Sequence, residues 1–144
     1  MSMRIIVICA VFILAAAAFG YCGATDGAFD QLRSELKSQG VSDQFIKTTE
    51  NSVKRMIVSS AKISDIKTVL LDLWNEGVKA RALKNAVDAV AELVESGDNT
   101  LEAAGIASGA AHKAEAEGLS GFGVGMRVKK AVQERKEYLK GLKK

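Results

Sequence analysis

From Phe29 to Leu139 the apolar residues of this chain recur at three- and four-residue intervals, and not one proline in 144 residues interrupts them. That spacing gathers apolar side chains on one side of an α-helix, whereas a half-buried strand would alternate at every second residue. Proline would remove a backbone donor and clash with the preceding turn, so its absence leaves every stretch free to be helical. The expected fold is therefore all-α, a compact bundle of five to six short helices, with an irregular solenoid-like stack as the alternative.

The breaks are glycines and short polar phrases. Phe29, Leu32 and Leu36 mark one face of a first helix that Gly40 ends. Val41-Ser42-Asp43 then supplies a staple residue, an N-cap oxygen for orphan backbone N–H groups, and an acid favoured by the helix dipole. A second helix carries Phe45, Ile46, Thr49, Val53, Met56 and Ile57 on one face and runs to about Ala61. Ile63-Ser64-Asp65 repeats the start signal for a third, whose stripe is Ile66, Val69, Leu70, Leu73 and Trp74 and which Gly77 closes. The fourth is expected from about Lys79 to Glu95, with Leu83, Val87, Val90, Ala91 and Val94 inward, before Ser96-Gly97-Asp98 breaks the pattern. Asn99 and Glu102 form a capping box for the fifth. After Gly118, Leu119, Ser120 and Gly121 a sixth runs to about Leu142. An aliphatic residue follows a break at Val41, Ile63, Val78 and Leu119, but spacings of 22, 15 and 41 residues are too irregular for a repeat array.

Ahead of these helices lies a run without charge from Ile5 to Ala24, preceded by Arg4 and the chain's own amino group. A basic start, an apolar middle and a small-residue end are the layout of a secretory signal. Two cleavage sites fit, one after Ala18-Phe19-Gly20 and the expected one after Cys22-Gly23-Ala24. The run's 20 residues are also about what a spanning helix needs, so an uncleaved anchor is the alternative. Its alanine- and glycine-rich last third favours a peptidase site. Attachment of a lipid to Cys22 is disfavoured by the bulky Tyr21 before it. The expected division is thus a signal peptide over residues 1–24 and a helical domain over 25–144. Cys9 leaves with the signal, so the domain keeps at most one cysteine and must be held by packing alone.

Hydrophobic residues at 48% and charged ones at 26% match a folded globular chain of one core. Charge is unevenly placed. Residues 25–126 hold 11 basic and 15 acidic groups, net −4, and residues 127–144 hold 8 basic and 2 acidic, net +6. The two parts attract.

Four segments could carry chemistry. Ala103 to Ala116 is almost all alanine, glycine and serine, and Gly105 with Gly109 has the four-residue spacing of a close-packing groove. This predicts a helix wedged in the middle of the core, or a self-association face. Gly121-Phe122-Gly123-Val124-Gly125 lacks the strand, spacing and lysine of a nucleotide loop and is expected to be a hinge or a tight contact with the small-residue helix. His112 is the sole histidine, with Glu115 on the same helix face, which falls short of a zinc site or a Ser-His-acid arrangement. Asp88, Glu92 and Glu95 share one face of the fourth helix; a divalent cation would relieve them, although a solvated face is the plainer expectation.

The terminal helix gives the clearest site. Val124, Val128, Ala131, Val132 and Leu139 form an apolar stripe, and Arg127, Lys129, Lys130, Arg135, Lys136 and Lys140, with Lys143 and Lys144, cover the other faces. Such a helix can close a bundle, lie on an anionic membrane surface or grip an acidic polymer. Nucleic acid is not expected, for want of stacking aromatics and because an exported chain rarely meets it. The general form is similar to that of many small exported bacterial proteins. The expectation is a non-enzymatic periplasmic or secreted helical module with no cofactor or metal. It would bind a protein or an anionic envelope component, with peripheral membrane contact as one form of that binding. The alternative is a carrier of a small apolar ligand between the fourth and fifth helices.

Overall fold

The computed structural model describes residues 23–76 and 80–143, and the side chains of Ala80 and Arg81 are not among those described. Among the described residues the chain forms six helices and no strand. They are α1 (residues 23–38), α2 (Asp43–Val58), α3 (Ile63–Asn75), α4 (Ala80–Glu95), α5 (Thr100–Ala116) and α6 (Gly121–Leu142). The all-α bundle expected from the spacing is what the chain builds. Residues 1–22 of the expected export segment, Cys22 among them, lie outside the described residues, as do Gly77, Val78 and Lys79; Gly23 and Ala24, its last two residues, begin α1.

Four helices end alike. After α1, α2, α4 and α5 the residues Gly40, Ser60, Gly97 and Gly118 take positive φ. In each case the next residue's N–H reaches back to a carbonyl of the last turn: Val41 to Leu36, Ala61 to Met56, Asp98 to Leu93, Leu119 to Ala114. This six-to-one closure satisfies carbonyls that the helix itself leaves unpaired. Glycine suits the left-handed residue at three of these ends, and α2 uses a serine.

The helix starts are less uniform. Ser42 caps α2 as expected, its Oγ accepting from the Phe45 N–H at 3.2 Å. The repeated signal at Ile63-Ser64-Asp65 does not act the same way. Lys62 occupies the N-cap without a side-chain bond, and its carbonyl accepts from Asp65 and Ile66, so Ser64 is already inside the helix. Asn99 caps α5 by accepting from the N–H groups of Leu101 and Glu102. The reciprocal half of the capping box is missing: the Asn99 N–H donates to Asp98 at 3.0 Å instead, and the Glu102 carboxylate accepts from Arg135.

The helix at the centre is α4 and not, as expected, the small-residue α5. Ala82, Leu83, Ala86, Val87, Ala89, Val90, Ala91, Leu93 and Val94 are all buried, and α4 packs against α2, α5 and α6. A helix apolar around most of its circumference belongs inside. α5 instead buries one stripe, Ala103, Ala107, Ala111 and Ala114, against its neighbours, and turns Gly105 and Gly109 to solvent. A Cβ added at either glycine would meet nothing. The alanines, and not the glycines, make the close-packing face, because they lie on the opposite side of the helix. At the far end of the core Phe45 of α2 meets Trp74 of α3 edge to face, ring centres 5.3 Å apart.

The GFGVG segment is neither hinge nor loop, since it forms the first turn and a half of α6. Its tight contact is with α4: a Cβ at Gly125 would stand 2.9 Å from Nδ2 of Asn85. Helix propensity is given up there so that α6 can come close to the central helix.

Candidate interaction surface

α6 is laid across the bundle by Val124, Val128 and Val132, which are buried at four-residue spacing. About 100° of rotation per residue then fixes where everything else on the helix points. Beyond Val132, Arg135 and Lys136 face acids of α4, of the turn that follows it and of α5. Arg135 donates from Nε and Nη2 to both oxygens of Asp98, at 2.8 Å each, and from Nη2 to Glu102. The Asp98 side chain is only 2% exposed, so this two-toothed contact is a buried one. The bond to Asp98, opposed by desolvation and aided by both carboxylates, raises the Arg135 pKa further, and the guanidinium stays charged throughout. The Arg135 guanidinium also lies 5.0 Å from the centre of the Tyr138 ring. Lys136 donates to Glu92. Part of the attraction between an acidic body and a basic tail is thus spent inside the molecule.

The other acids of α4 are matched as well. Asp88 accepts from the buried Ser52 hydroxyl of α2 and from Lys84, 2.5 Å away. Glu95 accepts from Nε and Nη2 of Arg55, which holds its carboxyl below the ordinary value, burial opposing. Each carboxylate that a cation would relieve has a hydrogen-bond partner in α2, α4 or α6. Among the described residues no group of three or more His, Cys, Asp or Glu side chains is arranged to hold a metal ion. His112 does not face Glu115; its Nε2 is 2.8 Å from Glu76 at the end of α3. Ser108 donates to that same carboxylate at 3.3 Å. Histidine and serine therefore share an acid and do not activate one another, which is the wrong connectivity for a nucleophile and its base.

The remaining expected residues divide. Arg127 reaches Glu117 at 2.7 Å, Lys140 reaches Glu137 at 2.9 Å, and Lys130 stands a loose 3.8 Å from Glu134 while 71% exposed. Lys129 is exposed, with no hydrogen bond or ion pair among the described residues. Surface clefts flank the helix. One of about 220 Å³ between α5 and α6 is lined by Lys113, Glu117, Arg127, Lys130, Glu134 and three alanines. Another, of about 400 Å³, is lined by Ser96, Gln133, Lys136, Leu139, Lys140 and Lys143. Both are rimmed by charge and lie outside the packed α4–α5 seam where an apolar cargo was expected.

Sequence reasoning missed an exposed apolar pair at the start of α6, the region of the helix away from the similarly exposed Tyr138 and Leu142. Phe122 is 81% exposed and Met126 54%, with Leu119 partly exposed just before the helix. On a helical wheel Phe122, Met126, Lys129 and Gln133 fall within about 60° of one another, their centre about 130° from that of the buried valines. The start of α6 is therefore apolar on two sides, and only one of them is covered. The signal was present in the sequence as an i, i+4 pair offset from the valine stripe, but Phe122 sat in the segment 121–125 read as a hinge or tight contact, and Met126 stood outside the apolar stripe expected of the helix that follows. Among the described residues no helix is long and apolar enough to cross a membrane. No family model, curated protein or solved structure matches this chain, and the chemistry of these faces is the guide to its role.

Proposed function

We propose that this chain is a non-enzymatic helical module, exported to the periplasm or secreted after loss of residues 1–24, that docks an envelope partner through the outward face of α6. The observation that supports this is the exposure of Phe122 and Met126 beside the unpaired Lys129, on the side of α6 away from the core. A large aromatic left in water costs the free energy that its burial would return, about 2 kcal/mol, and an amphipathic face without a cover is the common mark of a binding surface. The clamped residues Arg135 and Lys136 serve the fold, and the free ones near the start of α6 serve the partner.

Site-specific photo-cross-linking tests the proposal. A benzophenone side chain at position 122 is expected to give an adduct, protein or lipid, in the envelope fraction of cells making the chain. The same probe at exposed Thr68 on α3 should give none. Equal labelling from both positions would remove the outward face of α6 from consideration. Mass spectrometry of the N-terminus of the exported chain is expected to find Thr25 first; a chain starting at Met1 would mean an anchored protein.

A further inference from the structure

We infer that the partner of this face is an anionic lipid surface, with Phe122 and Met126 entering the headgroup layer and Lys129 and Lys130 meeting lipid phosphates; the inference rests on the outward face of α6 being the working surface. Three observations favour lipid over other occupants. First, between Leu119 and Gln133 the sequence has three basic residues, Arg127, Lys129 and Lys130, and no acidic one. Of these only Arg127 is held by a short ion pair, to Glu117, while Lys129 has none and Lys130 has only its 3.8 Å contact. The free positive charge sits beside the apolar tips, as at the rim of an interfacial helix.

Second, the aromatic stands out into solvent, 81% exposed. Phe122 is the second residue of α6 and projects from the helix. A protein partner's anchoring aromatic typically fills a pocket, whereas a projecting aromatic flanked by lysines suits the headgroup layer, where long basic stems keep their charge in the polar zone. Third, a second copy of this chain is a poor cover. A closed two-fold contact brings a patch against itself, so Lys129 and Lys130 would meet the same lysines, with only Glu134 at 3.8 Å from Lys130 and Glu137 beyond Gln133 at its border to offset them. Anionic phosphates supply the missing counter-charge.

The test uses the whole chain and a local probe, because the apolar run from Ile5 to Ala24 could itself hold the chain on vesicles. Phe122→Trp is placed at the exposed position, and the contribution of Trp74 is subtracted using the unsubstituted chain. Vesicles of phosphatidylcholine with phosphatidylglycerol are expected to shift the difference emission to the blue, and phosphatidylcholine alone to leave it unmoved. Lys129→Gln and Lys130→Gln should each lower the inserted-to-free ratio about five-fold, the worth of one basic residue at an anionic surface. Met126→Trp gives a second probe on the same face, and circular dichroism shows that each variant is folded. An emission unmoved by anionic vesicles with both probes, or an equal shift on phosphatidylcholine alone, overturns the inference. If it is overturned while the cross-linker at position 122 still captures a protein, the lipid assignment falls and the docking face stands. If the cross-linker captures nothing either, both fall.

Discussion

The inner and outer sides of the α5–α6 pair are built by opposite rules. Inside, small and β-branched residues are buried, Ala103, Ala107, Ala111 and Ala114 against neighbouring helices and Val124, Val128 and Val132 against the core, and the charges are clamped at Asp98, Glu92 and Glu102. Outside, glycines stand where larger residues would fit, an aromatic ring lies in water, and a lysine has no counter-charge. Residues at similar spacing on one helix thus answer to different demands, stability on one side and an encounter with something else on the other. Composition alone does not separate them; the angle around the helix does.

Substitutions can break the contrast or sharpen it. The largest effect is expected from placing aspartate on each side of α6. Val128→Asp buries a charge with no partner and should cost about 4 kcal/mol in urea unfolding, whereas Phe122→Asp, already in solvent, should change stability by no more than about 0.5 kcal/mol. Similar losses at both positions would mean that the outer face is packed after all. Next comes the clamp. Asp98→Ala removes the acceptor of two charge-assisted bonds and should lower stability by about 2 kcal/mol in the same assay.

On α5 the sign reverses. Gly105→Ala and Gly109→Ala point into open space and should each stabilise by about 1 kcal/mol through helix propensity. A loss on either substitution would show that the glycine face touches a second molecule in solution. The smallest effect concerns pH. Glu95 is paired with Arg55 and its folded pKa lies below the ordinary 4.5, so its contribution is fully present above that value and is lost as the pH falls and the carboxylate is protonated. Glu95→Gln should therefore narrow the gap in unfolding midpoint between neutral and acid solution, most clearly below pH 4.5. Lys129 makes no ion pair among the described residues, and Lys129→Gln is expected to leave the gap as it is.

Much of the fold was legible because helix boundaries are local chemistry. Ser42 and Asn99 as caps, and glycine ends after α1, α4 and α5, depend on residues within a turn of one another. What was not legible depends on neighbours distant in sequence. The placement of α4 at the centre follows from which helices flank it, and Ala82, Ala86 and Ala89 look too small to announce a core face on their own. Helical GFGVG depends on the approach of Gly125 to Asn85, 40 positions away, and propensity alone argues against it. At the surface, the basic residues of α6 were all visible, but which were clamped and which were free required knowing where Asp98, Glu92 and Glu117 come to rest. Phe122 was hidden by the misjudged glycine segment, and Met126 by lying off the valine stripe.

Ser60 carries a different consequence. It holds φ at 64° where three other helix ends use glycine, a conformation that costs a residue with a Cβ roughly 1 kcal/mol. The fold therefore keeps a reserve of tolerance in a single codon. Ser60→Gly would release that strain, and a chain so relieved could absorb a mildly damaging change elsewhere, on the exposed face of α6 for instance, and still fold.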